Sequence, residues 1–169
     1  DAAGLPFLQG LTPPAGSKTV AELKAISEMI DVPFILKGVL TPGAARKAVE
    51  AGASAIVVSN HGGRVLDECP SSAEVLPAIV EEVKGEVTIL VDGGIRSGAD
   101  VFKALAMGAD GVLIARPFVT AVYGGGEEGV AAYVDKIGAE LKDAMRMCGA
   151  ATLADITPDK VLSTDWMGK

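Results

Sequence analysis

Four short apolar runs punctuate the chain, each followed by glycine or polar residues and then by a longer amphipathic stretch. The runs are Phe34-Ile35-Leu36-Lys37, Ala55-Ile56-Val57-Val58-Ser59, Thr88-Ile89-Leu90-Val91-Asp92 and Gly111-Val112-Leu113-Ile114-Ala115. They are continuous rather than alternating, the pattern expected of parallel strands covered on both faces. Helical spacing fills the intervals. Val20, Leu23, Ile26 and Ile30 share one face of a helix opened by Ser17 or Lys18. Thr41 caps a second helix with Pro42 at its first position, and a third covers about 72–83. Ser97 caps a fourth that runs to Met107, and a long last helix fills about 129–147, entered through a flexible Gly124-Gly125-Gly126 connector. Met145 and Met147 are expected to pack against neighbouring elements. Strand, helix and strand joined by short connections make successive βαβ units.

An internal echo supports this periodicity. Thr41-Pro42-Gly43-Ala44 leading to Ala51-Gly52-Ala53 resembles Ser97-Gly98-Ala99 leading to Met107-Gly108-Ala109. Four such units suit half of a (β/α)8 barrel, whose full length is roughly 250 residues. A small open doubly wound α/β sheet is the rival arrangement. The organisation expected is a loop or linker over 1–18, a half-barrel over 19–156 and a tail over 157–169.

Composition narrows the function classes. Of the 169 residues 49% are hydrophobic but only 4% aromatic, so Ala, Val, Ile and Leu must build the core. A net charge of −7 leaves no electrostatic footprint for nucleic acid. No apolar run approaches the roughly 20 residues needed to insert in a membrane. The N-terminus has no basic stretch leading into an apolar one, so no secretory signal is expected. Cys69 and Cys148 match no metal or redox spacing, and reduced thiols, a cytoplasmic location and no metal site are the expectation. The first residue is Asp rather than Met, which suggests a fragment or a processed product.

In a barrel, chemistry gathers where strands end. Here those ends read Lys37-Gly38, Ser59-Asn60-His61-Gly62-Gly63-Arg64, Asp92-Gly93-Gly94-Ile95-Arg96 and Ala115-Arg116-Pro117. His61 is the sole histidine, and its imidazole suits a general base near neutral pH. Arg64 offers a planar fork for a carboxylate. Asp92 to Gly98 lies between a strand and a helix N-terminus, where backbone amides and the helix dipole favour an anion, and Arg96 and Arg116 add charge. Lys37, at the end of an apolar strand, needs a partner: an ion pair at the rim, or an electron-rich cofactor ring. Asp67 and Glu68 read as solvated or turn-forming.

Ser59-Asn60-His61-Gly62-Gly63-Arg64-Val65-Leu66-Asp67 resembles the signature of the FMN-dependent 2-hydroxy acid oxidases and dehydrogenases, a family that includes glycolate oxidase, lactate oxidase and mandelate dehydrogenase. The similarity runs from about Pro33 to Ile156. It takes in Phe34 to Gly38, Asp92 to Gly98 with Asp100-Val101-Phe102-Lys103-Ala104-Leu105, and Arg116-Pro117. The resemblance implies FMN as cofactor and a small L-2-hydroxy acid, lactate- or glycolate-like, as substrate. It implies that Lys37 and Ser59 contact the flavin, that His61 takes the substrate proton and that Arg64 binds the substrate carboxylate. It implies that Asp92, Gly93, Gly94, Ile95 and Arg96 hold the ribityl chain and phosphate, with Ala115 and Arg116 closing around the phosphate. Ala115 departs from a usual Gly, and Val65 from a common Gln. The resemblance also implies a first half-barrel outside this chain, with further flavin contacts and the acid that orients the histidine. The expected partner is that half or another copy of the chain, within a homo-oligomer. The alternative is a non-catalytic flavin- or phosphate-binding module, or a self-assembling fragment.

Overall fold

A computed structural model describes Gly10 and residues 16–162 of the chain, so residues 1–9, 11–15 and 163–169, with most of the expected linker and tail, lie outside the described residues. The chain divides into two compact units, Asp1–Gly93 and Gly94–Lys169.

The first unit holds helix α1 (Val20–Glu28), strand β1 (Ile35–Val39), α2 (Pro42–Glu50), β2 (Ala55–Val58), α3 (Ser72–Val83) and β3 (Thr88–Val91). β1 pairs with β2 and β2 with β3, all parallel. The registers align Leu36, Ile56 and Ile89 in one row and Lys37, Val57 and Leu90 in the next. Because side chains alternate across a strand, these rows point to opposite faces. Ile56, Ile89, Val58 and Val91 are buried, as are Leu76, Ile79, Val80 and Val83 of α3. The opposite face is less completely covered: Ile35 remains 49% exposed.

Capping sets the helix starts. Thr41 accepts from Ala44 N and Pro42 opens α2, as the sequence predicts. Ser71 caps α3 in the same way through Glu74 N. The first helix starts later than its apolar spacing suggests, because Thr19 and Glu22 form a reciprocal capping box. No residue of α1 is buried, and Ile30 lies beyond its end. β1 is shifted from the expected 34–37 to Ile35–Val39 by an irregularity between Lys37 and Val39. Gly38 sits there at φ 98, a conformation that glycine adopts without a Cβ penalty.

The second unit contains α4 (Gly98–Ala106), β4 (Gly111–Val112) and α5 (Arg116–Met147). β4 is shorter than the expected 111–115; Leu113 is 36% exposed and Ala115 becomes the cap residue of α5. α5 begins at Arg116, not near 129, because Pro117 suits a first turn. Its helical run includes Gly124 and Gly125 and breaks at Gly126 (φ 55, ψ −137). The glycine run is therefore a corner between two helical segments rather than a loose connector. A Cβ on Gly129 would lie 2.3 Å from the Ala121 carbonyl oxygen, so glycine is needed where the chain passes itself. Phe102, Ala106, Ala150 and Ile156 form a core flanked by Leu105, Leu141, Ala144, Met145 and Val161. Met145 packs as expected, whereas Met147 is 87% exposed.

Candidate active site

Alternation along β2 and β3 carries past their ends. Ser59 continues the face of Ala55 and Val57, and Asp92 that of Thr88 and Leu90. Lys37, in register with Val57 and Leu90, lies on the same face two positions short of both. Its Nζ donates to Ser59 Oγ at 3.0 Å and lies 3.5 Å from Asp92 Oδ2. The bulge at Gly38 lets β1 keep pairing after Lys37, with Val39 opposite Val58. The rim ion pair foreseen for Lys37 is thus formed, and its partner is Asp92.

Ser59 is fully buried. Its Oγ also accepts from His61 N at 3.0 Å. Asn60 Oδ1 accepts from Gly62 N at 3.0 Å while Asn60 Nδ2 donates to Pro70 O at 3.2 Å. These bonds hold a short 3-10 turn over His61–Gly63 in which His61 itself has φ 56. A non-glycine residue in the left-handed region is uncommon and is held there by its surroundings. His61 is half-buried and its Nδ1 is buried. Burial, then the positive charges of Lys37 and Arg64, push its pKa below the ordinary value, with Asp92 opposing them. The imidazole is therefore neutral, and able to accept a proton, at pH 7. Asp92 is a carboxylate whose charge reaches His61, whereas Asp67 is exposed and accepts from Glu68 N at 2.9 Å. Asp92 Oδ1 is buried with no hydrogen-bond partner among the described residues.

Gly93 (φ 90) and Gly94 (φ 82) both turn through the left-handed region. A Cβ on Gly93 would also lie 2.9 Å from Ser72 Oγ, whose hydroxyl donates to the Asp92 carbonyl. In the second unit, Arg96 Nη1 donates to Gly94 O at 2.9 Å. Ile95 is half-buried and Arg96 exposed.

The N-terminus of α4 is arranged differently from the sequence expectation of open amides. Asp100 Oδ2 accepts from Arg96 N, Ser97 N and the Ser97 hydroxyl at 2.9–3.0 Å. Glu140 Oε2 accepts from Gly98 N at 2.9 Å. Burial pushes the Asp100 carboxyl up, but those hydrogen bonds outweigh it and hold its pKa low. Gly98 N thus donates to a carboxylate and Asp100 N to the Ser97 hydroxyl, so two first-turn donors of α4 already have partners within the chain, and the start of α5 is sparse in donors as well. There Ala115 makes no side-chain cap bond, Pro117 has no N–H, and Phe118 and Val119 already donate to Ala115 O.

The arginines divide by partner. Arg46 forks onto Glu82 and Glu86, and Arg146 meets Asp143. Arg64, Arg96 and Arg116 are exposed and form no ion pair among the described residues. The structure thus gathers Lys37, Ser59, His61 and Asp92, with Arg64 close enough to act on His61 electrostatically.

The family model for FMN-dependent dehydrogenases matches residues 10–163. The chain belongs to that family. It is 50% identical over 141 residues to the L-lactate dehydrogenase of Serratia proteamaculans (strain 568), covering 83% of this chain and 37% of that protein. Against the L-lactate dehydrogenase of Bartonella tribocorum (strain CIP 105476 / IBS 506) it is 52% identical over 132 residues, 78% of this chain and 34% of the relative. A mandelate oxidase variant solved with (S)-mandelic acid superposes at a TM-score of 0.82 with 42% identity, over 86% of this chain and 43% of that one. Another, solved with the C4a-OH-FMN adduct, gives 0.81 and 43%, over 85% and 44%. The chain spans little more than a third of the curated relatives and under half of the solved ones. Its fold is α/β, corresponding to half of a (β/α)8 barrel with parallel strands.

Sequence reasoning did not find Tyr133, whose hydroxyl donates to Arg96 O at 3.0 Å. A lone tyrosine 37 residues away carries no local signal. Asp100 was legible as the third residue after the Ser97 cap, the spacing of a capping box.

Proposed function

We propose that this chain, with residues 19–156 as its working unit, is the C-terminal half of an FMN-dependent enzyme that oxidises a small L-2-hydroxy acid, lactate- or glycolate-like, to the 2-oxo acid. The observation that carries the reading is the Lys37–Ser59–His61 cluster: a histidine held in a strained turn by the same buried hydroxyl that receives the lysine.

The residues present fit FMN. A buried carboxylate oxygen on Asp92 awaits a donor, as a ribityl hydroxyl would provide. Gly93 and Gly94 let a ligand approach the backbone, and Arg96 and Arg116 carry charge committed to no carboxylate among the described residues. Lys37 and Ser59 would hold the flavin ring, and Asp92, Gly93, Gly94, Ile95, Arg96, Ala115 and Arg116 the ribityl chain and phosphate. FMN, when bound, supplies a two-electron acceptor.

The chain's own residues do the rest. Arg64 fixes the substrate carboxylate by a charge-assisted pair. Buried Nδ1 leaves the proton transfer to His61 Nε2. The depressed pKa keeps that nitrogen unprotonated before each turnover. Once charged, the imidazolium is stabilised by Asp92, whose charge raises its pKa. Lys37 contributes a fixed positive charge where negative charge develops.

The remaining barrel is proposed to come from an N-terminal half or from another copy of this chain. The half-exposed Ile35 on the inward row supports such a cover. The test is His61→Gln in the complete enzyme: flavin stays bound, while stopped-flow reduction by L-lactate or glycolate slows about 10²–10⁴-fold or more. An unchanged rate refutes the assignment.

A further inference from the structure

Arg96 is fixed at every polar point of its peptide unit. Its N–H donates to Asp100 Oδ2 at 3.0 Å, and its carbonyl accepts from the Tyr133 hydroxyl at 3.0 Å. Its guanidinium spends one Nη1 donor on Gly94 O and keeps the others for a ligand. Tyr133 also has a second attachment. Its ring meets Phe118 edge-to-face, with centroids 5.0 Å apart and planes at 84°. Phe118 lies two residues after Arg116, in the first turn of α5. The corner at Gly126, made possible by the close approach of Gly129 to Ala121, brings Tyr133 back against that first turn.

We propose that Tyr133 is the positioning residue of the two-arginine phosphate site, its hydroxyl setting the Arg96 turn and its ring setting the helix start that carries Arg116. This rests on the reading that Arg96 and Arg116 take the FMN phosphate. Neither guanidinium pairs with a carboxylate among the described residues, so neither side chain is oriented by a counter-charge of its own. Asp100 holds the Arg96 amide, and Tyr133 is the side chain bonded to that segment and packed edge-to-face on the one that carries Arg116. With Gly98 N bonded to Glu140, Asp100 N bonded to the Ser97 hydroxyl and both carboxylates beside it, the start of α4 is a poor seat for a dianionic phosphate. Placement of the arginines then decides its affinity.

The test uses riboflavin, which is FMN without its phosphate, as the internal control. The complete enzyme, stripped of its flavin, is titrated with each by flavin fluorescence quenching, as wild type, Tyr133→Phe, Tyr133→Leu and Tyr123→Phe. Tyr123 is 90% exposed and serves as the neutral comparison. Tyr133→Phe keeps the ring contact and removes one hydrogen bond, so FMN should bind about three- to tenfold more weakly while riboflavin is unchanged. Tyr133→Leu removes both attachments and should weaken FMN further, again sparing riboflavin. Should the leucine variant fail to fold, Tyr133→Phe alone decides. Equal losses for both ligands, or no loss for FMN, overturn the positioning role. Wild-type binding of FMN no tighter than riboflavin overturns the phosphate reading beneath it, a result separable from the first because it appears before any substitution.

Discussion

Replacing Gly98 by alanine should cost far more than a methyl group suggests. A Cβ at that position would lie 2.1 Å from Leu141 N, 2.4 Å from the Glu140 carbonyl carbon and 2.6 Å from Glu140 Cβ. Two of these three atoms belong to the α5 backbone, which cannot rotate away as a side-chain tip can. Real Cβ atoms essentially never come within 3.0 Å of such neighbours, so α4 and α5 must part by about 1 Å, an overpacking strain of roughly 1–3 kcal/mol. The Gly98 N–H bond to Glu140 stretches at the same time, adding about 1 kcal/mol. Against this stands Gly138, in the same α5 helix, where an added Cβ meets nothing within 4 Å. Gly138→Ala should stabilise by about 0.5–1 kcal/mol through helix propensity alone. Urea unfolding followed by far-UV circular dichroism compares the two variants with wild type. Gly98→Ala should lower the midpoint and Gly138→Ala should raise it. Equal or same-sign shifts would refute the packing argument, since propensity treats the two glycines alike.

Lys37→Gln should raise the His61 pKa, because one of the positive charges that depress it is gone while Asp92 remains; proton NMR of the single imidazole reads this directly, and a fall or no change contradicts the cluster. In wild type that resonance should titrate below the ordinary histidine value of about 6.5. Since the unfolded state then binds more protons, His61 leaves stability intact above pH ~6.5 and reduces it as pH falls from there through its folded pKa. Asp100 and Glu140 are held low by their amide and lysine partners, so their contribution is present above about pH 4 and lost as pH falls further. Asp100→Asn should flatten that acid limb of the pH–stability curve; an unaltered limb would show that the capping bonds contribute nothing. Ser59→Ala should weaken substrate-driven flavin reduction in the complete enzyme by about 10-fold or more, with Ser59→Thr recovering part of it, because the hydroxyl holds both the His61 amide and Lys37; stopped-flow reduction equal to wild type in the alanine variant would remove it from the site.

Much of this molecule could be read from local pattern. Apolar runs bounded by glycine mark strands whatever they pack against, and Thr41 and Ser97 stop the preceding chain by bonding amides three residues on. The site residues could be listed because each follows a strand, and a strand end is a local event. What they do to one another could not. Lys37 finds Asp92 only because parallel pairing aligns three strands and Gly38 adjusts the first of them. The α4 amides look open along the sequence, yet Glu140, 42 residues on, closes one of them. Gly124-Gly125-Gly126 reads as loose chain because isolated glycines favour coil, while in the fold only Gly126 leaves the helix. Periodicity reports on neighbours within about one helical turn or two strand positions. Ion pairs, shared hydroxyls and close backbone crossings join residues tens of positions apart, and those are settled by packing.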